Sequence, residues 1–237
     1  VIISFGLLHH YVLICSIHQM TLLEIENMEN RIEDLKYIIA KLKKHEIFYW
    51  VDQGTLLGLV REENILPWDT DIDISVWGDD FQKVLLLEKE FTLDGYYFEY
   101  QAAYDAIFLS KGTDFYIEIA KQSIDGDFVF RYNSLPKKSM LALFIKRALK
   151  LLPPKIHFLL RDLLRNKTSN KLLLSKTPLY FFENFTLTDF NSIKSVNIPF
   201  KSREYLLFKY GKSWETPNKK WAYEKNDGSI VLGREND

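Results

Sequence analysis

The sequence predicts an α+β fold: a mixed sheet flanked by helices, with a helical basic appendage. Three observations carry that prediction. Over residues 21–45, Leu22, Ile25, Met28, Ile32, Leu35, Ile38, Ile39 and Leu42 recur at helical spacing with charged residues between them. From Ile47 to Tyr132, short apolar or alternating runs are separated by turn residues, which is the pattern of strands. The charge then changes sign: acids outnumber bases between Asp69 and Asp127, whereas Lys137 to Lys176 holds eleven Lys or Arg and one acid, Asp162.

Taken in order, residues 21–45 form an amphipathic helix whose apolar stripe packs on a core. Ile47–Val51 is a short strand, Gly54-Thr55 a turn with Thr55 available as a helix cap, and Leu56–Arg61 a short helix. Pro67 ends the following loop. Asp71–Val76 alternates carboxylate or Ser with Ile, Ile and Val, the period of a strand, and Phe81–Phe91 reads as a helix. Strands are expected at Tyr96–Tyr100, Ala106–Leu109 and Phe115–Ala120, and Asp125-Gly126-Asp127 makes a hairpin turn into Phe128–Tyr132. Pro153-Pro154 divides the basic stretch into two helical pieces. Tyr205–Tyr210 closes as a helix with Gly211 placed to cap it. The chain divides into a doubtful extension over 1–19, a catalytic core over 20–135, and a basic segment with the C-terminal part of the same domain over 136–237.

Composition narrows the function. Hydrophobic residues at 47% are ample for a packed core, and a net charge of −1 excludes the global cationic field of a nucleic-acid binder. Cys15 is the only cysteine, so neither an intramolecular disulfide nor a cysteine-cluster metal site is available, and a reducing, cytoplasmic setting is favoured. Residues 1–17 are apolar but interrupted by His9 and His10, and no Lys or Arg precedes Arg31. That suits neither a signal peptide nor a spanning helix, so residues 1–19 are read as an over-extended start before Met20 or as a fragment edge, with a poor membrane anchor as the rival.

The chemistry concentrates in Asp69-Thr-Asp71-Ile-Asp73. On a strand, alternate residues share a face, so Asp71 and Asp73 point together while Ile72, Ile74 and Val76 enter the core. Two crowded carboxylates repel unless a cation lies between them, and a hard divalent ion with oxygen ligands meets that need. A calcium loop fails on spacing, because Ile74 stands where Gly is needed and Asp80 where Glu is. Gly54-Thr55, between strand and helix, could present free N–H groups to a phosphate, although an ordinary strand–helix turn explains the pair equally well. Arg61 could grip a phosphate or carboxylate; otherwise it is a surface arginine. Glu118, set between Ile117 and Ile119, is the choice for third metal ligand or base, with Asp114 of the same parity as fallback.

These residues resemble the LicD/fukutin family of phosphotransferases, whose motif runs Gly-[Thr/Ser]-Leu-Leu-Gly, then Arg, then Ile-Pro-Trp-Asp-x-Asp-x-Asp. Here stand Gly54-Thr55-Leu56-Leu57-Gly58, Arg61 and Leu66-Pro67-Trp68-Asp69-Thr70-Asp71-Ile72-Asp73. Ile198-Pro199, Tyr205-Leu206 and Tyr210-Gly211 are similar to the family's closing pattern. The resemblance implies a nucleotidyltransferase fold that moves phosphocholine, ribitol phosphate or a similar group from a CDP-activated donor to a cell-surface glycan. It further implies Mg²⁺, with Mn²⁺ as substitute, on Asp71 and Asp73, and a substrate pocket shaped by Gly54 and Thr55, where Arg61 and Asp69 are also counted. Glu118 departs from the Asp that many members carry there.

The expected chemistry is in-line attack by an acceptor hydroxyl on the distal phosphorus, with Glu118 taking its proton and Arg61 beside the phosphates. An Asp-x-Asp glycosyltransferase and a nucleotidyltransferase proper are the rival enzymes, separated by their released products. The non-enzymatic rival is a membrane-surface module built on Lys137–Lys176; the same stretch would bring an enzyme to the inner membrane face or to a lipid-linked glycan.

Overall fold

The computed structural model describes residues 22–69, 71–111, 115–134, 172–191, 193–218 and 220–231. Residues 1–19, Asp114 and the basic stretch up to residue 171 therefore lie outside the described residues, and so do the readings made on them.

The amphipathic segment forms helix α1, Leu22–Lys44, and Leu35, Ile38 and Leu42 are fully buried on its inner stripe. Strand β1, Tyr49–Val51, leads directly into helix α2, Gln53–Glu62. The helix begins earlier than the sequence suggests, because Asp52 and not Thr55 is its cap: the Asp52 carboxylate accepts the Gln53 N–H at 2.7 Å. Strand β2 is Asp71–Trp77. The single helix expected over Phe81–Phe91 is two, α3 at Gly78–Leu85 and α4 at Glu88–Leu93, which send Phe81, Val84 and Phe91 inward from either side of a turn.

Strands β3 (Tyr97–Gln101), β4 (Ala106–Ser110), β5 (Tyr116–Asp125) and β6 (Phe128–Ser134) follow in the predicted order. Beyond the undescribed stretch come β7 (Leu172–Pro178), the hairpin β8 (Phe185–Phe190) and β9 (Ile193–Pro199), α5 (Ser202–Tyr210), α6 (Tyr223–Asn226) and β10 (Ile230–Val231). One call fails here: Leu172–Lys176, read from the sequence as the end of a helical basic segment, is strand. Its Leu173, Ser175 and Thr177 are buried in alternation, and the whole of β7 pairs antiparallel with β6.

The sheet has eight strands, with β1-β2-β5-β6-β7-β10 as its main path and β4 and β3 branching from β5. It is mixed because β2 and β5 run parallel while the other pairs are antiparallel. Strand β5 is long enough to serve two neighbourhoods. Its first part pairs with β2 and β4, and its last residues form the hairpin with β6. Ile72, Ile74, Ile117 and Ile119 fill the layer between sheet and helices, each at most 1% exposed. The opposite parity places Asp73 opposite Glu118 in register, so the parallel pair alone brings two carboxylates together. Among the described residues no helix is long and apolar enough to cross a membrane.

Candidate functional site

The site sits where the N-terminal turn of α2 meets the start of β2. The Gly54 N–H donates to Asp73 Oδ2 at 3.0 Å and the Gln53 side-chain amide to Oδ1 at 3.4 Å. The Asp73 N–H donates to Thr55 Oγ1 at 2.8 Å. The helix N-terminus is therefore spent on a carboxylate, where the sequence suggested free N–H groups for phosphate. The motif's two glycines have a steric reason. A Cβ on Gly54 would lie 2.3 Å from Asp69 Oδ2, and one on Gly58 would lie 2.6 Å from the Asn64 carbonyl oxygen. One face of α2 is stripped bare so that the loop bearing Asp69 can lie on it.

Asp69, Asp71 and Asp73 offer oxygens that all lie within 4.8 Å of one another. Burial first, then the charges of Asp71, Asp69 and Glu118, push the Asp73 carboxyl well above its usual range, with Arg131 opposing. Glu118, also raised by burial, lies outside that oxygen cluster and acts on it through its charge; its carboxylate accepts from Arg131 Nη2 at 2.7 Å. Burial would lower Arg131, but Glu118, Asp52 and Asp73 outweigh it and hold the guanidinium charged. The Tyr116 hydroxyl, buried beside Asp71, is raised far from ionisation. Such a set leaves more negative than positive charge in a buried space. All-oxygen donors at this separation fit a hard divalent cation.

Three supporting residues were missed from the sequence. Arg31 of α1 donates to the Asp69 carbonyl at 2.6 Å and the Pro67 carbonyl at 3.2 Å, fixing the loop from behind. Asp52, 2% exposed, accepts from Gln53 N–H, from Tyr205 at 2.7 Å and from Ser75 Oγ at 2.7 Å, and Gln122 donates to Ser75 at 2.9 Å. Arg131 is the third. Asp52 stands before a helix start and could have been read as its cap; Arg131 and Arg31 carry no local signal, since only the tertiary fold brings them in.

The carboxylates open into a cavity of about 520 Å³ also lined by Arg61, Tyr104, Phe108, Tyr132 and Trp68. Arg61 is no surface arginine. Its side chain is 8% exposed, with Nε on Glu62 at 2.8 Å, Nη1 on the Trp214 carbonyl at 3.0 Å, and Nη2 buried without a partner. The far wall comes from residues 210–227, among them Trp214, Trp221 and Tyr223, a contribution that the sequence reading did not foresee.

Comparison with known proteins points the same way. Residues 46–141 match the model of the LicD/FKTN/FKRP nucleotidyltransferase domain. The chain is 32% identical over 108 residues to an uncharacterized protein of Rickettsia typhi, covering 41% of this chain and 34% of that one. To the human ribitol-5-phosphate transferase FKTN it is 24% identical over 202 residues, covering 84% of this chain and 36% of the relative. The lipopolysaccharide cholinephosphotransferase LicD of Haemophilus influenzae shares 37% over 49 residues, 21% of this chain and 18% of that one. A lincosamide antibiotic adenylyltransferase, LnuA, aligns over 45% of this chain and 65% of its own at 20% identity, with a TM-score of 0.33. The chain thus spans about a third or less of the length of these curated relatives. Residues 46–141, which carry the glycine-faced helix and the aspartate strand, are thus the part of the chain that matches the LicD/FKTN/FKRP nucleotidyltransferase domain.

Proposed function

We propose that this chain is a metal-dependent transferase that moves a substituted phosphate from a CDP-activated donor to a hydroxyl of a glycan. The observation that carries the reading is the Asp69, Asp71 and Asp73 triad at the floor of a cavity large enough for a nucleotide-sized ligand. The names of the relatives, two of which transfer ribitol phosphate or phosphocholine, support the class of group moved.

Asp71 and Asp73 would hold Mg²⁺ or Mn²⁺, with Asp69 and Glu118 beside them. Bound there, the ion would supply charge neutralisation for a pyrophosphate. The protein's residues do the rest. The acceptor oxygen attacks the distal phosphorus, and the bond from that phosphorus to the bridging oxygen breaks as CMP leaves. Glu118 receives the hydroxyl proton; burial pushes its carboxyl above the usual range and Arg131 opposes that rise. The unpaired Nη2 of Arg61 offers a donor to a phosphate oxygen. A cytoplasmic compartment, consistent with the lone Cys15, belongs to the same proposal.

The test is product analysis with purified chain, Mg²⁺, a glycan acceptor and, in turn, CDP-ribitol, CDP-choline and CDP-glycerol. Release of CMP with phosphate incorporated into acceptor supports the reading. Release of nucleoside diphosphate with sugar alone would mean a glycosyltransferase, and release of pyrophosphate a nucleotidyltransferase.

A further inference from the structure

The wall built by residues 210–227 differs in chemistry from the floor it faces. Its aromatic members in the cavity are Tyr210, Trp214, Trp221 and Tyr223, and its neutral polar ones Ser213, Thr216 and Asn218. Its one carboxylate in the cavity, Asp227, is already engaged: Lys209 Nζ lies 2.6 Å away, and Ser229 donates from N at 2.8 Å and Oγ at 2.6 Å. Lys209 and Asp227 are 3% and 2% exposed, so the carboxylate that this stretch brings to the cavity is already neutralised by its own lysine. No Lys or Arg of this stretch lines the cavity among the described residues.

The wall is also built, and does not merely hang over the floor. Arg61 Nη1 holds the Trp214 carbonyl at 3.0 Å, and Arg203 caps the Trp214 ring at 5.6 Å while pairing with Glu215 at 3.0 Å. Trp221 packs on Tyr210 with ring centroids 4.6 Å apart. Successive turns, Ser213 carbonyl to Thr216 N–H at 2.9 Å and Asn218 carbonyl to Trp221 N–H at 3.2 Å, fix the backbone between them. Within this frame Trp221 Nε1 is buried with no acceptor among the described residues. An indole N–H can only donate, so a buried one without a partner marks a place where an oxygen belongs.

We propose that this wall is the acceptor subsite and takes a neutral sugar residue. The inference rests on the transferase reading for the word acceptor, but not for the ligand's chemistry. A sugar offers apolar C–H faces to aromatic rings and neutral hydroxyls to Ser, Thr, Asn and indole groups, and it needs no counter-charge. A pyrophosphate would be served by cations or metal, which belong to the floor. Floor and wall share one cavity, so a sugar held on the wall lies in the same space as Glu118, the carboxylate assigned to accept its proton. Neutral-glycan recognition is thereby assigned to residues 210–227, and the Lys137–Lys176 stretch is not needed for it.

The experiment applies the whole chain to an array of immobilised neutral oligosaccharides and their sialylated counterparts, with Mg²⁺ and CMP binding measured separately by calorimetry. Wild type is expected to bind neutral glycans. Trp221→Leu should lower that affinity about tenfold or more, and Trp221→Phe and Thr216→Val by smaller factors, for the loss of single neutral hydrogen bonds. Mg²⁺ and CMP binding should be unchanged in all three, which also shows that they fold. Binding confined to sialylated glycans, binding to none, or neutral-glycan binding indifferent to Trp221 and Thr216 would overturn the proposal. Neutral-glycan binding that depends on Trp221 in a chain with no affinity for CMP would sink the phosphotransferase reading and leave the sugar site standing.

Discussion

Two groups of crowded carboxylates in this molecule behave in opposite ways. Glu90 and Asp94, on and just after α4, each keep 40% of their side chains exposed and share Lys41, whose Nζ lies 3.2 and 2.6 Å away; Tyr37 also donates to Asp94. Bonding to Lys41 holds both below the usual carboxylate range. Asp73 is buried and Glu118 nearly so, Arg131 pairs with Glu118 and acts on Asp73 only through its charge, two more aspartates lie nearby, and both carboxyls are pushed upward. The exposed group is electrically finished, with His45 and Lys44 also within 4 Å of Glu90. The buried group is not. Folding has gathered more carboxylates than cations at one end of a cavity, a cost that makes sense where a cation is to be held.

The largest break in this contrast should come at Asp73. Asp73→Asn and Asp71→Asn are expected to cut turnover by roughly a thousand-fold or more, read in the CMP-release assay. At the same time Asp73→Asn should raise the melting temperature of the metal-free protein, because it removes a buried like charge. No equivalent gain is expected at Glu90 or Asp94.

Next in size is Glu118. Glu118→Gln should lower kcat by about a hundred-fold or more, as for loss of a proton acceptor, whereas Asp114→Asn should retain activity. Measured kcat for the pair decides which acid completes the site.

A smaller loss is expected when the support behind the site is loosened. Tyr205→Phe removes one donor to Asp52 and should cost about 1 kcal/mol of stability by chemical denaturation, with kcat falling while metal stoichiometry is kept. Asp52→Ala should cost more, since it strips the α2 cap and strands Ser75 and Tyr205 together.

The smallest effect belongs to the exposed group. Lys41→Met should leave activity unchanged and shift stability only slightly, as for other ion pairs whose carboxylates are open to water. The lowered Glu90 and Asp94 groups contribute stability that is present above their unfolded values near pH ~4 and is lost as pH falls through the folded ones. An acid titration of wild type against Lys41→Met should therefore converge at low pH.

How much of this was legible follows from range. Period-two alternation was enough to place Asp71 and Asp73 on one face of β2 and Glu118 on a neighbouring strand, because strand parity is a local property. The split between α3 and α4 was invisible, since Leu86 and Leu87 continue the helical pattern through the turn. Strand β7 was misread because Leu172-Leu-Leu lies against a long helical-looking basic run, and its strand character comes from long-range pairing with β6, in which Leu172 meets Ser134 and Pro178 meets Phe128. For the hairpin β8–β9 and the aromatic wall the sequence offered only the closing pattern at Ile198-Pro199 and Tyr210-Gly211, which signals neither a strand pairing nor a cavity wall. Their places are set by tertiary contacts such as Phe185 on Trp50 at 5.2 Å and Arg61 on Trp214.

The central claim, that the buried carboxylates are held in excess for a divalent cation, meets its most direct test in calorimetric titration of the whole chain with Mg²⁺ near neutral pH. The titration is run in two buffers of different ionisation enthalpy so that protons are counted along with heat. Burial and neighbouring charges raise Asp73, so a bound ion should expel proton from the site, giving saturable binding with net proton release that disappears in Asp73→Asn. Absence of binding, or binding of equal strength and equal proton release in Asp73→Asn, would contradict the account.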